Sequence, residues 1–308
     1  MIKKSAGKIL IITSGKVEKL ELFLEPAKKM GLDFTTASFS DLEYVSQGKD
    51  TDFKLQVDGK DVASFNLIYV RLVGKSLEEA SLLVSYAKEK GVKVIDPIYE
   101  KSHILPPSIS KVMELKYLIQ ASVPIPPTIF GSLAKIKEKG KALLGTPFVI
   151  KSTQGRRGRE VWSPKTHDEF IRLIEDLSAQ EEDGKRFFAQ KFVAASQRIR
   201  VLVVGGKALA ALTMPTKWRR RFITKVDGEY PERKQEKLSP IPKEDAELAL
   251  AAARAVSLDI AGVDILHEDK SDKRYVIEVN AAPRWEAVRR DTEIDVEKEI
   301  LEFLAKVS

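Results

Sequence analysis

GVDIL (residues 262–266) and YVIEVNAAP (275–283) are two apolar runs separated by the polar stretch HEDKSDKR, and they read as the arms of an antiparallel hairpin. Polar side chains interrupt both arms: Asp264 on the first, Glu278 and Asn280 on the second. Side chains two apart on a strand share a face, so Glu278 and Asn280 project together and Asp264 can sit opposite them. Three oxygen donors then converge in an otherwise apolar setting, where a carboxylate needs a cation or a proton. Hard donors of this kind suit magnesium, which completes its shell with waters and substrate phosphates. Acids that are merely solvated at a hairpin are the plainer alternative, and the apolar flanks weigh against it.

Working outward, Ile199–Val204, the turn Gly205-Gly206 and Ala208–Met214 form a second hairpin, followed by a basic loop, Lys217–Lys225, and an alanine-rich helix, Asp245–Ser257. A helix over Val296–Val307 ends the chain. Upstream, the strand Phe148–Lys151 runs into KSTQGRRGREV (151–161), where Gly155 and Gly158 can lay N–H groups over phosphates with Lys151 as a point charge. This loop fits neither GxxxxGK[ST] nor GxGxxG, so on its own it reads better as a plain basic surface turn. Helices over Leu133–Lys139 and His167–Leu177 and a strand over Arg186–Phe192 surround it. Proline pairs and clusters at Pro106-Pro107 and at Pro124, Pro126 and Pro127 bracket a connecting helix, Ile109–Ala121.

The first hundred residues alternate β-branched runs with amphipathic segments, the pattern of an α/β unit with a largely parallel sheet. Strands are expected at Lys8–Thr13, Asp33–Ser38, Leu67–Arg71 and Val92–Ile95, with helices at Leu20–Met30, stopped by Gly31, and Leu77–Lys90. Asp58-Gly59 signals a hairpin between Phe53–Val57 and Val62–Phe65.

Composition narrows the chemistry. The 308 residues are 43% hydrophobic and 31% charged, enough to bury a large core in two or three domains. Without cysteine there is no disulfide framework, thiolate metal site or thiol nucleophile. His103, His167 and His267 are scattered, which argues against a zinc site or a serine triad. Carboxylates, amides, lysines and arginines must carry the work. No apolar run approaches the ~20 residues that span a bilayer, so a cytoplasmic protein is expected. The net charge of +7 suits nucleic acid, a membrane surface or an anionic small molecule equally.

Taken in order, SKVMELKYLIQASVPIPPT (110–128), the strand-lysine-glycine loop, FFAQKFV (187–193), RIRVLVVGGKALAAL (198–212), LDIAGVDIL (258–266) and YVIEVNAAP resemble the RimK-like ATP-grasp ligases, over nearly all of residues 105–305. FNLIYVRL (65–72) resembles a strand of the small domain that precedes the grasp. The resemblance implies an α/β chain: a small pre-ATP-grasp domain (1–105), a central lobe with the phosphate loop (106–190) and a C-terminal lobe with the metal site (191–308). It implies that Lys111 and Lys151 meet nucleotide phosphates, that the backbone of Gln190, Lys191, Phe192 and Val193 holds adenine, and that Arg200 and Arg221 act at the reacting carbonyl. Asp264, Glu278 and Asn280 match the magnesium ligands, where manganese could substitute. The implied reaction activates a carboxylate with ATP as an acyl phosphate, from which an amine displaces phosphate to form an amide; no side-chain nucleophile is needed, since phosphoryl transfer is mostly positioning and charge neutralisation.

The chain departs from the family at three places. Lys191 stands where an acid is common. Arg198 replaces the aspartate that holds the ribose hydroxyls, and an arginine cannot accept those hydrogen bonds. Arg221-Phe222-Ile223 lacks the usual amide. The expected substrates are an amino acid, glutamate-like, and a peptide or small molecule bearing a carboxylate; Arg284, with Arg71 from the first domain, is a candidate for gripping an anionic substrate. Arg71 is equally a candidate for a buried ion pair, and Trp218 and Trp285 for packing. A non-catalytic descendant that binds a nucleotide or a partner is the alternative, favoured by Arg198 and Ile223. Nucleic-acid binding lacks any recognised motif. A homo-oligomer is compatible with all of these readings.

Overall fold

The computed structural model describes residues 7–43, 54–74, 76–101, 111–153, 160–182, 185–215, 236–271 and 273–308. The first part runs β1 (Ile9–Thr13), α1 (Leu24–Met30), β2 (Phe34–Ser38), the short strands β3 (Leu42–Glu43), β4 (Gln56–Val57) and β5 (Lys60–Asp61), then β6 (Leu67–Leu72), α2 (Leu77–Glu89) and β7 (Lys93–Ile95). Four of these strands form a parallel sheet in the order β2-β1-β6-β7. Ile9–Ile12 are all fully buried, the unbroken apolar reading of a strand covered on both faces.

Two local expectations change. The segment expected as one helix from Leu20 is a 3-10 turn over Val17–Phe23 followed by α1, which Gly31 ends at φ +65°. Pro26 explains the break: its missing N–H is tolerated in the first turn of a helix but not farther in. The Asp58-Gly59 hairpin forms with both residues at positive φ, as a primed turn requires. Its second arm stops at Asp61, whose carboxylate accepts the Ala63 N–H and starts a 3-10 turn over Val62–Ser64.

Helix α3 (Lys111–Gln120) leads to the central lobe: β8 (Thr128–Phe130), α4 (Leu133–Leu144), β9 (Phe148–Ser152), β10 (Val161–Trp162), α5 (His167–Glu182) and β11 (Phe187–Lys191). Its antiparallel sheet has the order β10-β9-β11-β8, and β8 was not anticipated. The C-terminal part holds β12 (Gln197–Val204), β13 (Lys207–Pro215), β14 (Glu236–Lys237), α6 (Lys243–Ala255), β15 (Ile260–His267), β16 (Arg274–Asn280), α7 (Glu286–Thr292) and α8 (Val296–Val307). Its antiparallel sheet is ordered β14-β13-β12-β15-β16.

Core packing divides the molecule unevenly. The lobe closes on Leu133, Ile136, Phe148, Ile150, Phe170 and Phe187 among others, with no residue from another sheet among those described. The parallel sheet and the C-terminal sheet instead share two cores. Ile9, Ile11 and Tyr69 pack with Leu202, Ile260 and Leu304, while Leu10, Ile12 and Ile68 belong with Val201, Val263 and Ala252. Polar contacts join the same two parts: Asp96 Oδ1 accepts from Asp259 N (2.7 Å) and Ile260 N (3.0 Å), and Lys93 Nζ donates to Val307 O (3.0 Å).

Candidate active site

The site is laid out by strand register. Arg200 on β12 lies opposite Asp264 on β15, which lies opposite Glu278 on β16. Directly opposed residues share a sheet face, so an arginine and two carboxylates form one row across three strands. In the next row toward the β16 terminus, Asn280 opposes Gly262. Glycine is required there, because a Cβ on residue 262 would come within 2.8 Å of the Pro283 Cβ. A bulge just after Asp264 shifts the β15–β16 register and ends the regular pairing beside the row.

Asp264 is fully buried and heavily engaged. Its Oδ1 accepts from Arg200 Nε (2.6 Å), and its Oδ2 accepts from Arg200 Nη2 (2.8 Å) and Arg198 Nη1 (3.2 Å). Arg198, opposite Leu266 in the register, thus turns to the acid two strand positions away. Glu278 and Asn280 are half-buried, and Glu278 has no ion pair within 4.0 Å among the described residues.

Across from this row stands Lys151 at the end of β9. Its Nζ donates to Gln190 Oε1 (2.6 Å), and Gln190, itself buried, donates through Nε2 to Thr128 Oγ1 (2.8 Å). The Gln190 side chain therefore orients the lysine. Burial and the positive charge of Lys111 lower the Lys151 pKa to about 8, while Glu278 and Glu114 oppose the shift. Charges from α3, the lobe and the C-terminal sheet therefore act on one another at a single place.

Glu114 escaped the sequence reading. It is buried on α3, one turn after Lys111, and its Oε1 accepts the Val279 N–H (2.9 Å), holding the backbone between Glu278 and Asn280. Burial raises its pKa to about 8 against the pull of that hydrogen bond, and Glu278 raises it further. The signal was present: an acid inside the apolar face that Leu115 and Leu118 bury, three residues from a lysine. Together with Pro124 O, which accepts from Val276 N, Glu114 covers the otherwise open edge of β16.

The remaining candidates divide. In the hinge, the Lys191 side chain is exposed and its N–H donates to Pro127 O (2.8 Å), which withdraws that amide from any base; Phe192 is half-buried and Val193 buried. Arg71 forms no buried ion pair among the described residues: its Nη2 donates to Pro283 O (2.7 Å) and its guanidinium lies 4.1 Å over the Trp285 ring. Trp285 is buried, and its Nε1 donates to Glu297 Oε1 (2.8 Å), so it packs. Arg284 is exposed beside this loop. Arg290 is committed to Asp291 and Arg289 reaches Glu297. Arg221, Ile223, Trp218 and the glycines of the phosphate loop lie outside the described residues. His267 is bound to the buried Asp245, away from the row.

The donor set fits magnesium. Glu278 and Asn280 lie two apart on β16 and offer oxygens from one half-buried face, which suits an ion that keeps several waters, and Lys111 and Glu278 both act on Lys151 beside them.

Comparison with known proteins bears on the family and the fold. A probable alpha-L-glutamate ligase of Trichodesmium erythraeum is 29% identical over 264 residues, covering 84% of this chain and 83% of that protein. A probable alpha-L-glutamate ligase of Legionella pneumophila is 28% identical over 207 residues, 65% of this chain and 64% of that protein. Among solved structures, the ATP-grasp ligase PsnB, complexed with a phosphomimetic variant of its minimal precursor, Mg and ADP, superposes with a TM-score of 0.73 at 18% identity, over 98% of this chain and 99% of that one. The fold is accordingly the α/β ATP-grasp fold that the sequence implied. Residues 109–304 match the RimK-like ATP-grasp domain, and with the row from Arg200 to Glu278 facing Lys151 the chain belongs to the RimK-like ATP-grasp family.

Proposed function

We propose that this ATP-grasp ligase joins the amino group of an amino acid, glutamate first among the candidates, to a carboxylate on a peptide or small molecule. The observation that carries the reading is the meeting of Lys151 and Lys111 with Glu278 at one edge of the Arg200–Asp264–Glu278 row. Cations for the phosphates and oxygen donors for a metal come from different parts of the chain to one place. Relatives named probable alpha-L-glutamate ligase and a structural neighbour that binds a peptide precursor support the choice of substrates.

An oxygen of the acceptor carboxylate attacks the γ-phosphorus of ATP, and ADP leaves. The amine nitrogen then attacks the acyl carbon of the acyl phosphate, phosphate departs with the C–O bonding pair, and the nitrogen's proton passes to phosphate or a neighbouring carboxylate. Lys151, aimed by Gln190, and Lys111 grip the phosphates, and anionic oxygens return the Lys151 pKa upward on binding. Arg200, anchored on Asp264, holds its guanidinium where charge develops on the carbonyl oxygen, with Arg221 assigned beside it. Glu278 and Asn280 would hold magnesium, or manganese in its place, which when bound would supply positive charge to offset that of the phosphates. The backbone of Gln190, Lys191, Phe192 and Val193 flanks the base, with Lys191 N–H already given to Pro127 O.

On this reading residues 106–190 carry the phosphate grip and 191–308 the metal, while the acceptor side is formed by the exposed Arg284 on a loop that Arg71, from residues 1–105, holds through Pro283 O and Trp285. The protein works in the cytoplasm, where ATP is supplied; no described helix is long and apolar enough to cross a membrane. Phosphate release from magnesium ATP, measured against amino acids paired with carboxylated peptides, tests the proposal. Release that needs both partners establishes ligation. Nucleotide binding without turnover for any pair would leave a binding protein instead.

A further inference from the structure

Asp264 is the one member of the oxygen set whose surroundings do not suit a hydrated cation. A carboxylate offers about four lone-pair directions, and three are taken, by Arg200 Nε and Nη2 and by Arg198 Nη1. The two guanidiniums leave the trio with net positive charge, which opposes a divalent ion at the remaining direction. Asp264 is also 0% exposed, whereas magnesium dehydrates reluctantly and keeps several waters. Glu278 and Asn280 differ on each count. They are half-buried, the charge of Glu278 acts on Lys151, and Glu278 has no ion pair within 4.0 Å among the described residues.

Register explains how Arg198 comes to matter. Arg198 and Arg200 lie two apart on β12 and share a face; Arg200 is directly opposite Asp264, and Arg198, opposite Leu266, reaches it diagonally. An aspartate at 198 would repel Asp264 and leave it available to a cation. The arginine takes it instead.

Resting on the ligase reading above, we infer that Arg198 and Arg200 hold Asp264 out of metal coordination, so that this chain binds a single magnesium on Glu278 and Asn280. Asp264 then works as the anchor of a guanidinium pair that faces the phosphates with fixed positive charge. Arg198 is in this sense a positioning residue that sets metal number.

Manganese serves as the probe: the full chain is loaded with a nonhydrolysable ATP analogue, and protein-bound Mn2+ is counted by electron paramagnetic resonance. One Mn2+ per nucleotide-loaded chain is expected. Glu278→Gln should weaken its affinity by at least about 10-fold, Asp264→Asn should leave it unchanged, and Arg198→Asp should admit a second ion. Two ions in the unaltered protein would overturn the inference while leaving the ligase site intact, and this count needs no variant to fold. Loss of Mn2+ in Asp264→Asn equal to that in Glu278→Gln, with unchanged circular dichroism, would also overturn it. A chain that binds nucleotide but no Mn2+ at all would remove the underlying metal reading as well as the inference built on it.

Discussion

The central lobe and the remainder of the molecule are held together by opposite means. The lobe's buried side chains pack on one another alone, around Ile150, Phe170 and Phe187. The parallel sheet and the C-terminal sheet share two apolar cores and are further tied by Asp96, Lys93 and Arg71. Separating those two sheets would expose both cores to water, whereas displacing the lobe disturbs mainly polar contacts around Lys151 and the hinge. The candidate site therefore lies where an independently packed unit bearing Lys151 meets a body bearing Glu278, Asn280 and, on α3, Lys111 and Glu114.

Truncating one core at a time tests this division. Phe187→Ala should cost about 3–5 kcal/mol, read by amide hydrogen exchange as lost protection in β9 and β11 while β1, β6 and β12 keep theirs. Ile260→Ala, in a core common to both other sheets, should lower protection in β1 and β12 together and spare β9. Loss spread evenly over the chain in both variants would erase the distinction.

Asp96 offers a comparably large test through pH. Burial raises its pKa to about 7 from 3.8, although the Asp259 and Ile260 N–H groups it accepts pull the other way. Its folded form thus holds a proton that the unfolded chain releases, so stability is greatest at low pH with respect to this group and falls as pH rises from about 4 to about 7. That displacement corresponds to something on the order of 4 kcal/mol. Asp96→Asn keeps an oxygen for both N–H groups and removes the charge. Its thermal midpoint should exceed the parent's above pH 7 and converge with it near pH 4. Identical pH profiles would show that the carboxyl is not protonated in the fold.

How much of this was readable beforehand depended on whether local chemistry or tertiary register decided it. The parallel sheet announced itself in continuous runs such as Ile9–Ile12, and the candidate oxygen-donor set in three polar residues set in apolar strands. Asp264 facing Glu278 followed from strand periodicity alone. Glu114 did not, because its role comes from an edge strand 165 residues away, and neither did the partner of Arg198, which depends on a diagonal contact between β12 and β15. Arg71 was undecided in sequence because a carbonyl and an indole, its actual partners, leave no charge pattern to read. Short elements were the weakest: β8 and α7 lack a long periodicity, and α1 was misplaced by overlooking Pro26.

Lys151 lies on the lobe but answers to charges on the body, so its loss should affect turnover far more than folding. Lys151→Ala is expected to lower kcat/KM for phosphate release by about 100- to 1000-fold, as removal of one preorganised charge at a reacting centre does. Gln190→Ala, which keeps the charge but not its aim, should cost less. A Gln190 variant as impaired as the lysine variant would mean that orientation, not charge, dominates.

The smallest effect belongs to Arg71, the contact between the first sheet and the loop after Asn280. Removing its hydrogen bond to Pro283 O and its stacking on Trp285 should destabilise the body by about 1–2 kcal/mol. Arg71→Lys keeps the charge without the planar fork and should recover only part of that. Because Pro283 precedes the exposed Arg284 and fills the space above Gly262, loosening it should raise KM for the carboxylated acceptor while KM for ATP, bound on the lobe side, stays the same. Equal rises in both constants would indicate that the loop and the lobe respond as one unit. The separation between an independently packed lobe and a doubly cored body would then hold for folding but not for substrate binding.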